Sequence, residues 1–529
     1  MGEGMQERDA DVITQRDQTG AAGGASGPPA VAYRPYALAG LAALCAALFP
    51  LLVFSRIPLT WDGVQYVLGV LHYDLAMHQP HPPGYYLYVQ LARLLRLCGL
   101  DAYTALVVLT LLFSAKLTGA LTWWAGRMAG RNAAIATAAL CLSSPLVWAC
   151  SIDLNTYIVA GAMSAVVGYN CWQVVRIGGV WVVLSGGALG IAAGLRPSTA
   201  LFLAPLWGYC LWRRGGWRAL LGVASFALVT AAWALPFLAT VGGLSEYREI
   251  SGRLSEGMMA ISPLTGNWPQ MLVQLRSIMA GALGVLLLGW LLVPRAAGTE
   301  LARSRALLAL WLIPALVFFL VVHTAGPRYL MVLAPPLLLL GGLGMGRTLT
   351  ELRAPLRRAA LVALVVAVNA AFMYSSVIRP QRATETHLLR VREACQPWNN
   401  PGTVAITSIA SATSPAPPGE WLPYRAAMYL LPEAHVFIFP LERPGEPGEF
   451  PNSGFELQSA ATVPPARLQS ARTLLLLGQG MREYLGPGIE AELVAQDGEL
   501  SIFAVPLGAG GVTLDAGGKI ELVPERPAR

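Results

Sequence analysis

The residues best suited to chemistry lie in one polar stretch, LTWDGVQYVLGVLHYDLAMHQPHPPGYYLYV, residues 59–89. A carboxylate can accept a proton as a general base, so Asp62 is the first candidate catalytic residue. An aspartate at this position could instead cap a helix that begins at Gly63. His81, which prolines enclose, is a candidate for lining a substrate pocket. The three histidines of the stretch lack the tight spacing of a metal site, so no metal is indicated.

Five further polar residues interrupt apolar surroundings: Asp153 in SIDLNTY, Arg196 in GLRPS, and His323, Arg328 and Tyr329 in VVHTAGPRYLMVLAPP. Ionisable residues in or beside membrane segments are costly, and they often mark a binding site. Each also has a simpler interpretation. Asp153 could hydrogen-bond its own loop, and the two arginines could extend to lipid headgroups.

Composition predicts the elements that must position these residues. The chain is 55% hydrophobic and only 13% charged, and apolar runs of roughly 15 to 23 residues recur from Ala37 to Val377, as in polytopic membrane proteins. We therefore predict a polytopic α-helical membrane protein with about eleven transmembrane helices. The predicted spans are 37–54, 103–125, 132–149, 157–175, 180–194, 198–212, 219–239, 277–293, 306–322, 328–346 and 359–377.

The charged residues favour one orientation in the membrane. Residues 83–97 are short for a span and carry two arginines, Arg93 and Arg96. If they do not cross, the arginine clusters between later spans all fall on the cytoplasmic side, as the positive-inside rule expects. The first 36 residues are then a disordered cytoplasmic segment. These clusters account for the net charge of +7, so nucleic acid is not an expected partner.

This topology places residues 55–102 in a large extracytoplasmic loop. Within it, Val64, Val67, Leu68, Leu71 and Leu75 form one apolar helical stripe, which predicts an amphipathic helix lying in the membrane interface.

The region 378–529 is predicted to be a small extracytoplasmic α/β domain. Its strand-like runs are 403–409, 435–441, 472–478 and 500–507, with a helical candidate at 423–431. The seven cysteines lack CxxC spacing and mostly fall in apolar runs, so they predict neither disulfides nor a zinc site.

Under the same topology, the candidate residues gather at one face of the membrane. Asp62 and Arg328 are more than 250 residues apart in sequence, yet both fall at extracytoplasmic ends of spans. Such a convergence of distant ionisable residues is the strongest indication of a functional site in the sequence.

The order of several motifs resembles that of the membrane glycosyltransferases with the C-type fold. A first span is followed by a long loop with Trp61-Asp62, then by HPPGYYLYVQLARLLRLCG, GLRPSTALFLAPLW and GPRYLMVLAPPLLLL. This family includes protein O-mannosyltransferases and aminoarabinose transferases of lipid A. The resemblance covers about residues 37–377, which would be the glycosyltransferase domain. Many members have an adjacent acidic pair or a D-x-D motif in the first loop, whereas this chain has Asp62 followed by Gly63. That departure leaves the use of a divalent metal open, and no other cofactor is expected.

The resemblance implies transfer of a glycosyl group from a polyprenyl-phosphate-linked sugar to an extracytoplasmic lipid, glycan or protein, with inversion of the anomeric carbon. A phosphodiester leaves with little protonation, so one general base suffices, unlike the acid and base pair of a glycosidase. Asp62 is the expected base. Arg328 with His323 or Arg196 is expected to stabilise the departing phosphate, and His81, Asp153 and Tyr329 are expected to bind substrate.

Two other functions are compatible with the composition. A transporter or lipid flippase would be expected to carry ionisable residues at the membrane midplane and inverted repeats, whereas only Lys116 lies deep and no repeat is visible. A non-catalytic scaffold would leave the polar cluster unexplained. With two lysines and no N-x-Ser/Thr sequon, the chain is expected in a bacterial inner membrane.

Overall fold

The computed structural model describes residues 35–76, 78–260, 304–322, 326–408, 422–439, 471–507, 512–514 and 520–522, together with residues 272, 299 and 301. Three predictions therefore fall wholly or almost wholly outside the described residues. They concern the disorder of residues 1–36, the span 277–293 and the role of His323.

Apolar helices make up most of the described chain. They are α1 (Pro35–Leu48), α2 (Trp61–Leu71), α3 (Tyr86–Arg96), α4 (Ala102–Ser143), α5 (Pro145–Ser151), α6 (Tyr157–Arg176), α7 (Val180–Leu195), α8 (Pro197–Arg214), α9 (Gly216–Val241), α10 (Leu244–Ala260), α11 (Arg305–Val317), α12 (Ala334–Glu351) and α13 (Pro355–Met373). A short 3₁₀ helix, Pro327–Val332, precedes α12.

Helix α4 is the longest and packs against α1, α6 and α12. Asp101 caps its start, since the carboxylate accepts hydrogen bonds from the backbone amides of Tyr103 and Thr104 at 2.9 and 3.1 Å. At Ala129 and Gly130 the backbone leaves the helical region, so the predicted spans 103–125 and 132–149 meet at a kink. The second predicted span is wrong at its end, because Ser144 caps the separate helix α5 there.

Five helical segments among the described residues are long and apolar enough to cross a membrane: Pro35–Leu52, Ala102–Ser143, Tyr157–Arg176, Gly216–Val241 and Pro355–Trp398. Helices Val180–Leu195 and Arg305–Val317 are apolar but shorter. Helix α3 has 11 residues, and at about 1.5 Å per residue it is much shorter than a bilayer core. The total of eleven crossings stays a prediction.

Helix α2, which carries Asp62, differs from its prediction. It was expected to lie in the membrane interface, with one apolar stripe that continued to Leu75. It ends at Leu71, and its middle is buried on nearly all sides, including the side chain of Gln65. Helices α3 and α4 pack against it, so α2 is an internal helix. Arg93 of α3 closes its end by donating hydrogen bonds to the carbonyls of Gly69 and Val70, both at 3.1 Å.

The C-terminal region combines two helices with a mixed sheet. The helices are α14 (Arg379–Cys395) and α15 (Tyr424–Leu430). The strands are β1 (Thr403–Ser408), β2 (His435–Phe439), β3 (Thr473–Leu477), β4 (Glu492–Asp497) and β5 (Leu500–Pro506), followed by a separate hairpin of β6 (Val512–Leu514) and β7 (Ile520–Leu522). The sheet order is β2-β1-β3-β5-β4, with β1 parallel to both of its neighbours and β5 antiparallel to both of its own.

Each face of this sheet has its own apolar core, because successive strand residues point to opposite faces. Val404, Ile406 and Phe503 belong to one core. The other core combines strand residues with α14 and α15, and it also includes Ile57 from the segment before α2.

Candidate active site

The carboxylate of Asp62 lies in the first turn of α2 and does not cap the helix. The cap is Thr60, whose hydroxyl accepts a hydrogen bond from the amide of Gly63 at 3.2 Å. Within the described chain, the Asp62 carboxylate accepts no hydrogen bond, and its side chain is 37% exposed. Capping therefore does not explain Asp62, and the carboxylate is available to take a proton.

The position after Asp62 leaves little space for a side chain. A Cβ atom at Gly63 would lie 3.0 Å from the Thr60 hydroxyl and 3.3 Å from the carbonyl oxygen of Leu154. Glycine thus lets the first turn of α2 approach the loop that carries Asp153. A second acidic residue at this position would require its neighbours to shift by a few tenths of an ångström.

His81 lies beside Asp62 at the end of a proline-rich turn. Its Nδ1 is 3.9 Å from the nearest Asp62 oxygen, and its ring contacts the rings of Tyr66 and Tyr85, with centroids 5.7 and 5.0 Å away. Gly69 allows this turn to approach α2, since a Cβ there would lie 2.7 Å from the nitrogen of Pro80. Burial lowers the pKa of His81, although the Asp62 carboxylate opposes this effect, so the ring is neutral at pH 7.

The guanidinium of Arg196 is surrounded by aromatic rings. Its guanidinium carbon lies 4.3 Å from the ring centroid of Tyr157, 5.6 Å from that of Tyr329 and 5.7 Å from that of Tyr85. It also donates a hydrogen bond to the hydroxyl of Thr156. It is buried and forms no ion pair with any described residue. A buried cation of this kind is a site at which an anion would be strongly bound.

Tyr329 belongs to the group of rings around the arginine. Its ring centroid is 4.8 Å from that of Tyr157. Tyr85 connects this group to the Asp62 side of the site, because its ring lies close to both the Arg196 guanidinium and the ring of His81.

Arg328 and Asp153 form an ion pair, with a guanidinium nitrogen 2.6 Å from a carboxylate oxygen. Asp153 is buried, and its other oxygen accepts a hydrogen bond from the amide of Leu154 at 2.8 Å. The prediction that Asp153 bonds its own loop describes one of its two contacts.

This ion pair borders a cavity of about 560 Å³. Thr60 and Asp153 line it together with Leu146 of α5, while Phe372 of α13 and Gln381 of α14 line it further along. Most of the lining is apolar, and the ionic and polar groups are few. The cavity combines a charged border with walls suited to hydrocarbon.

Several solved protein structures resemble the fold of this chain. The structure of ArnT from Cupriavidus metallidurans bound to undecaprenyl phosphate aligns with a TM-score of 0.58 at 17% identity, covering 88% of this chain and 97% of ArnT. The apo structure of the same protein gives a TM-score of 0.54. Arabinofuranosyltransferase AftD from Mycobacteria aligns at 15% identity with a TM-score of 0.49, over 90% of this chain and 42% of AftD. No protein-family model matches the sequence, and no curated protein matches it significantly.

The chain has the C-type glycosyltransferase fold. The resemblance inferred from the sequence motifs is confirmed at the level of the fold, and the chain is a multi-pass membrane protein. In this C-type fold, Asp62, His81, Arg196 and Tyr329 lie around one cluster of tyrosines, and the Asp153–Arg328 pair lies at the neighbouring cavity.

The C-type fold also brings in residues that the sequence analysis did not select. Tyr66, Tyr85 and Tyr157 enclose His81 and Arg196, and Tyr66 additionally bonds Thr156 through its hydroxyl at 3.2 Å. The motifs PPGYYLYV and SIDLNTY contained the signal, since each places tyrosines beside a candidate residue. Among the described residues, no three His, Cys, Asp or Glu side chains come together as a set that could hold a metal ion.

Proposed function

We propose that this protein transfers a glycosyl group from a polyprenyl-phosphate-linked sugar to an acceptor outside the cytoplasm, with inversion of the anomeric carbon. The acceptor is a lipid, a glycan or a protein. The observation that carries the proposal is the meeting of two groups in one tyrosine-lined site: the carboxylate of Asp62 and the buried cation of Arg196, which has no counter-ion among the described residues. The fold shared with ArnT, which was solved with undecaprenyl phosphate, supports this choice of donor.

In the proposed reaction, Asp62 accepts the proton of the acceptor hydroxyl as that oxygen attacks the anomeric carbon. The bond between this carbon and the phosphate oxygen breaks, and the polyprenyl phosphate leaves with both electrons. The carboxylate suits this role because no described group donates a hydrogen bond to it and because its side chain is partly exposed. Neutral His81, 3.9 Å away, would orient the acceptor without competing for the proton.

Negative charge grows on the phosphate as it leaves, so the site needs fixed cations. Arg196 suits this role best, since no carboxylate in the described part of the chain forms an ion pair with it. Arg328 would act at the cavity next to it, with Asp153 holding its guanidinium in place. His323, the other predicted phosphate ligand, keeps that role as a prediction. The apolar walls of the cavity offer space for part of the isoprenoid chain.

The same proposal includes the arrangement in the membrane. The N-terminus is cytoplasmic, and residues 55–102 and 378–529 lie outside the cytoplasm of a bacterial inner membrane. A lipid-linked donor can then enter a site at this face from the leaflet beside it.

The test is a transfer assay on purified protein in lipid nanodiscs, with a panel of radiolabelled polyprenyl-phosphate sugars and membrane-extract acceptors. We expect Asp62→Asn to lower kcat by about 10²- to 10⁴-fold, the usual contribution of a general base. The matched control is Asp74→Asn, which changes another aspartate of the same loop and should retain the wild-type rate. Equal rates for Asp62→Asn and wild type would reject Asp62 as the base, and transfer by neither protein from any donor would reject the proposed function.

A further inference from the structure

Helix α2 is held by two separate apolar cores, and Asp62 lies between them. Tyr66, Val67 and Val70 belong to the core of the helical bundle. Ile57, in the segment before α2, belongs to the core under the C-terminal sheet, and Leu59 and Trp61 pack against that core. The start of the helix that carries the proposed base is therefore fixed by the C-terminal region, and its end is fixed by the bundle.

Arg425 of α15 contacts the first residue of α2 from the C-terminal region. Its guanidinium carbon lies 5.6 Å from the ring centroid of Trp61 and 5.4 Å from that of Tyr424. It also donates to the sulfur of Met428 at 3.3 Å. Only 2% of the residue is exposed. A buried guanidinium between two rings is held in one orientation, and it holds those rings in return.

Helix α14 fastens the two loops of the site to the same region. Glu385 accepts a hydrogen bond from the amide of Arg56 at 2.8 Å. Arg382 donates to the carbonyl of Leu52 at 3.0 Å, and Gln381 donates to the carbonyl of Ile152 at 2.9 Å. These contacts reach the segment before Asp62 and the residue before Asp153. The C-terminal region thus sets the position of both carboxylates.

We propose that Arg425 is a positioning residue for Asp62, and that the C-terminal α/β region is a structural part of the active site. The arginine acts through Trp61, the residue immediately before Asp62, and fixes the direction in which the first turn of α2 presents the carboxylate. The inference rests on the proposed function for the role of Asp62, but the contact itself is independent of any activity.

The test compares four variants of the full chain in nanodiscs: Arg425→Met, Arg425→Lys, Trp61→Leu and the double variant Arg425→Met/Trp61→Leu. The matched control is Arg482→Met, which removes another arginine stacked on a ring of the C-terminal region, that of Phe503, with centroid 5.0 Å away. Phe503 lies in the core on the other sheet face, away from α2.

For Arg425→Met we expect kcat to fall by about 10- to 100-fold while KM for the donor changes less than about threefold, since a small misplacement of a catalytic group affects mainly the transition state. Arg425→Lys should recover little, because an ammonium does not stack as a planar guanidinium does. The double variant should be no worse than the poorer single variant, since both substitutions break one contact. The inference is overturned if Arg425→Met retains kcat, or loses no more than Arg482→Met.

Hydrogen exchange of the amides in residues 63–68 gives a second readout that requires no activity. We expect exchange at least about threefold faster in Arg425→Met than in wild type or Arg482→Met, with the end of α2 unchanged. If wild type transfers no sugar, the proposed function fails and exchange alone decides whether Arg425 holds α2. Unchanged exchange refutes the positioning role. If Arg425→Met does not fold, the test uses Trp61→Leu, which removes the other residue of the contact. Its kcat and its hydrogen exchange are then compared with those of wild type.

Discussion

Two arginines of the site differ in what surrounds their charge. Arg328 lies 2.6 Å from the carboxylate of Asp153, so its charge is largely matched within the protein. Arg196 is buried, whereas the side chain of Arg328 is 32% exposed. The described neighbours of Arg196 are tyrosine rings and a threonine hydroxyl. Removing the first should therefore cost stability, because it leaves Asp153 unpaired. Removing the second should cost binding of an anion, because nothing in the described chain competes for that charge.

Of the two arginine substitutions, Arg196→Met should have the larger effect on transfer. We expect kcat/KM for the lipid-linked donor to fall by about 10²- to 10³-fold, the usual cost of removing one group that stabilises developing charge. Arg328→Met is the matched substitution and should lose less activity per folded molecule. The measurement is the transfer assay, normalised to protein that remains monodisperse on gel filtration. If Arg328→Met loses more transfer activity than Arg196→Met, Arg328 and not Arg196 is the main cation for the leaving phosphate.

The second effect concerns stability. Arg328→Met leaves the buried Asp153 carboxylate without its partner, which typically costs about 3 kcal/mol and should lower the thermal unfolding midpoint by several degrees. Arg328→Met/Asp153→Asn should recover at least half of that loss, since no charge is then left buried. Arg196→Met should gain nothing from Asp153→Asn. Equal midpoints for the single and double variants at Arg328 would contradict an ion pair.

A third, smaller effect should appear in the dependence of stability on pH. Burial lowers the pKa of His78 to about 2, from about 6.5 in the unfolded chain. Between these values the unfolded chain binds a proton that the folded chain does not, so stability falls as pH drops below 6.5. At pH 5 this one residue should cost about 2 kcal/mol relative to pH 7.

The comparison for this prediction is His78→Gln, whose unfolding midpoint should fall less between pH 7 and pH 5 than that of wild type. A wild-type slope in His78→Gln would assign the acid sensitivity to other groups.

The last prediction concerns labelling of one cysteine, which tests whether the site lies outside the cytoplasm. Of the seven cysteines, Cys98 is exposed, Cys45 is half-buried and the other five are buried. Cys98 follows α3 and precedes the start of α4, where the hydroxyl of Tyr103 bonds the carbonyl of Ser55. A membrane-impermeant maleimide should therefore label wild-type protein in intact spheroplasts, and Cys98→Ser should abolish the label. Labelling that requires permeabilised membranes would reverse the orientation.

The sequence predicted much of this architecture because long apolar runs and short arginine clusters are local signals. The strand-like runs 403–409 and 472–478 correspond to β1 and β3, and the helical candidate 423–431 corresponds to α15. Helix α2 shows where such signals fail. Its apolar stripe has the period of a surface helix, but whether a stripe faces lipid or protein depends on what packs against it, and here the helical bundle does, with Val67 in the bundle core.

The sequence likewise predicted one part of the candidate site and not another. Residue type and predicted topology were enough to bring forward Asp62, His81, Arg196 and Tyr329, because an ionisable or polar residue beside a membrane segment is rare and costly. The sequence could not predict which arginine forms an ion pair with Asp153. Arg196 and Arg328 both lie next to prolines and apolar residues in the sequence, and they differ in their neighbours in space. The sequence thus determined which charges this membrane protein must accommodate. The tertiary structure decided which charge Asp153 neutralises, which one is left for a ligand, and that Arg425 from the far end of the chain lies against Trp61, because contacts across hundreds of residues follow from packing and leave no periodic trace in the chain.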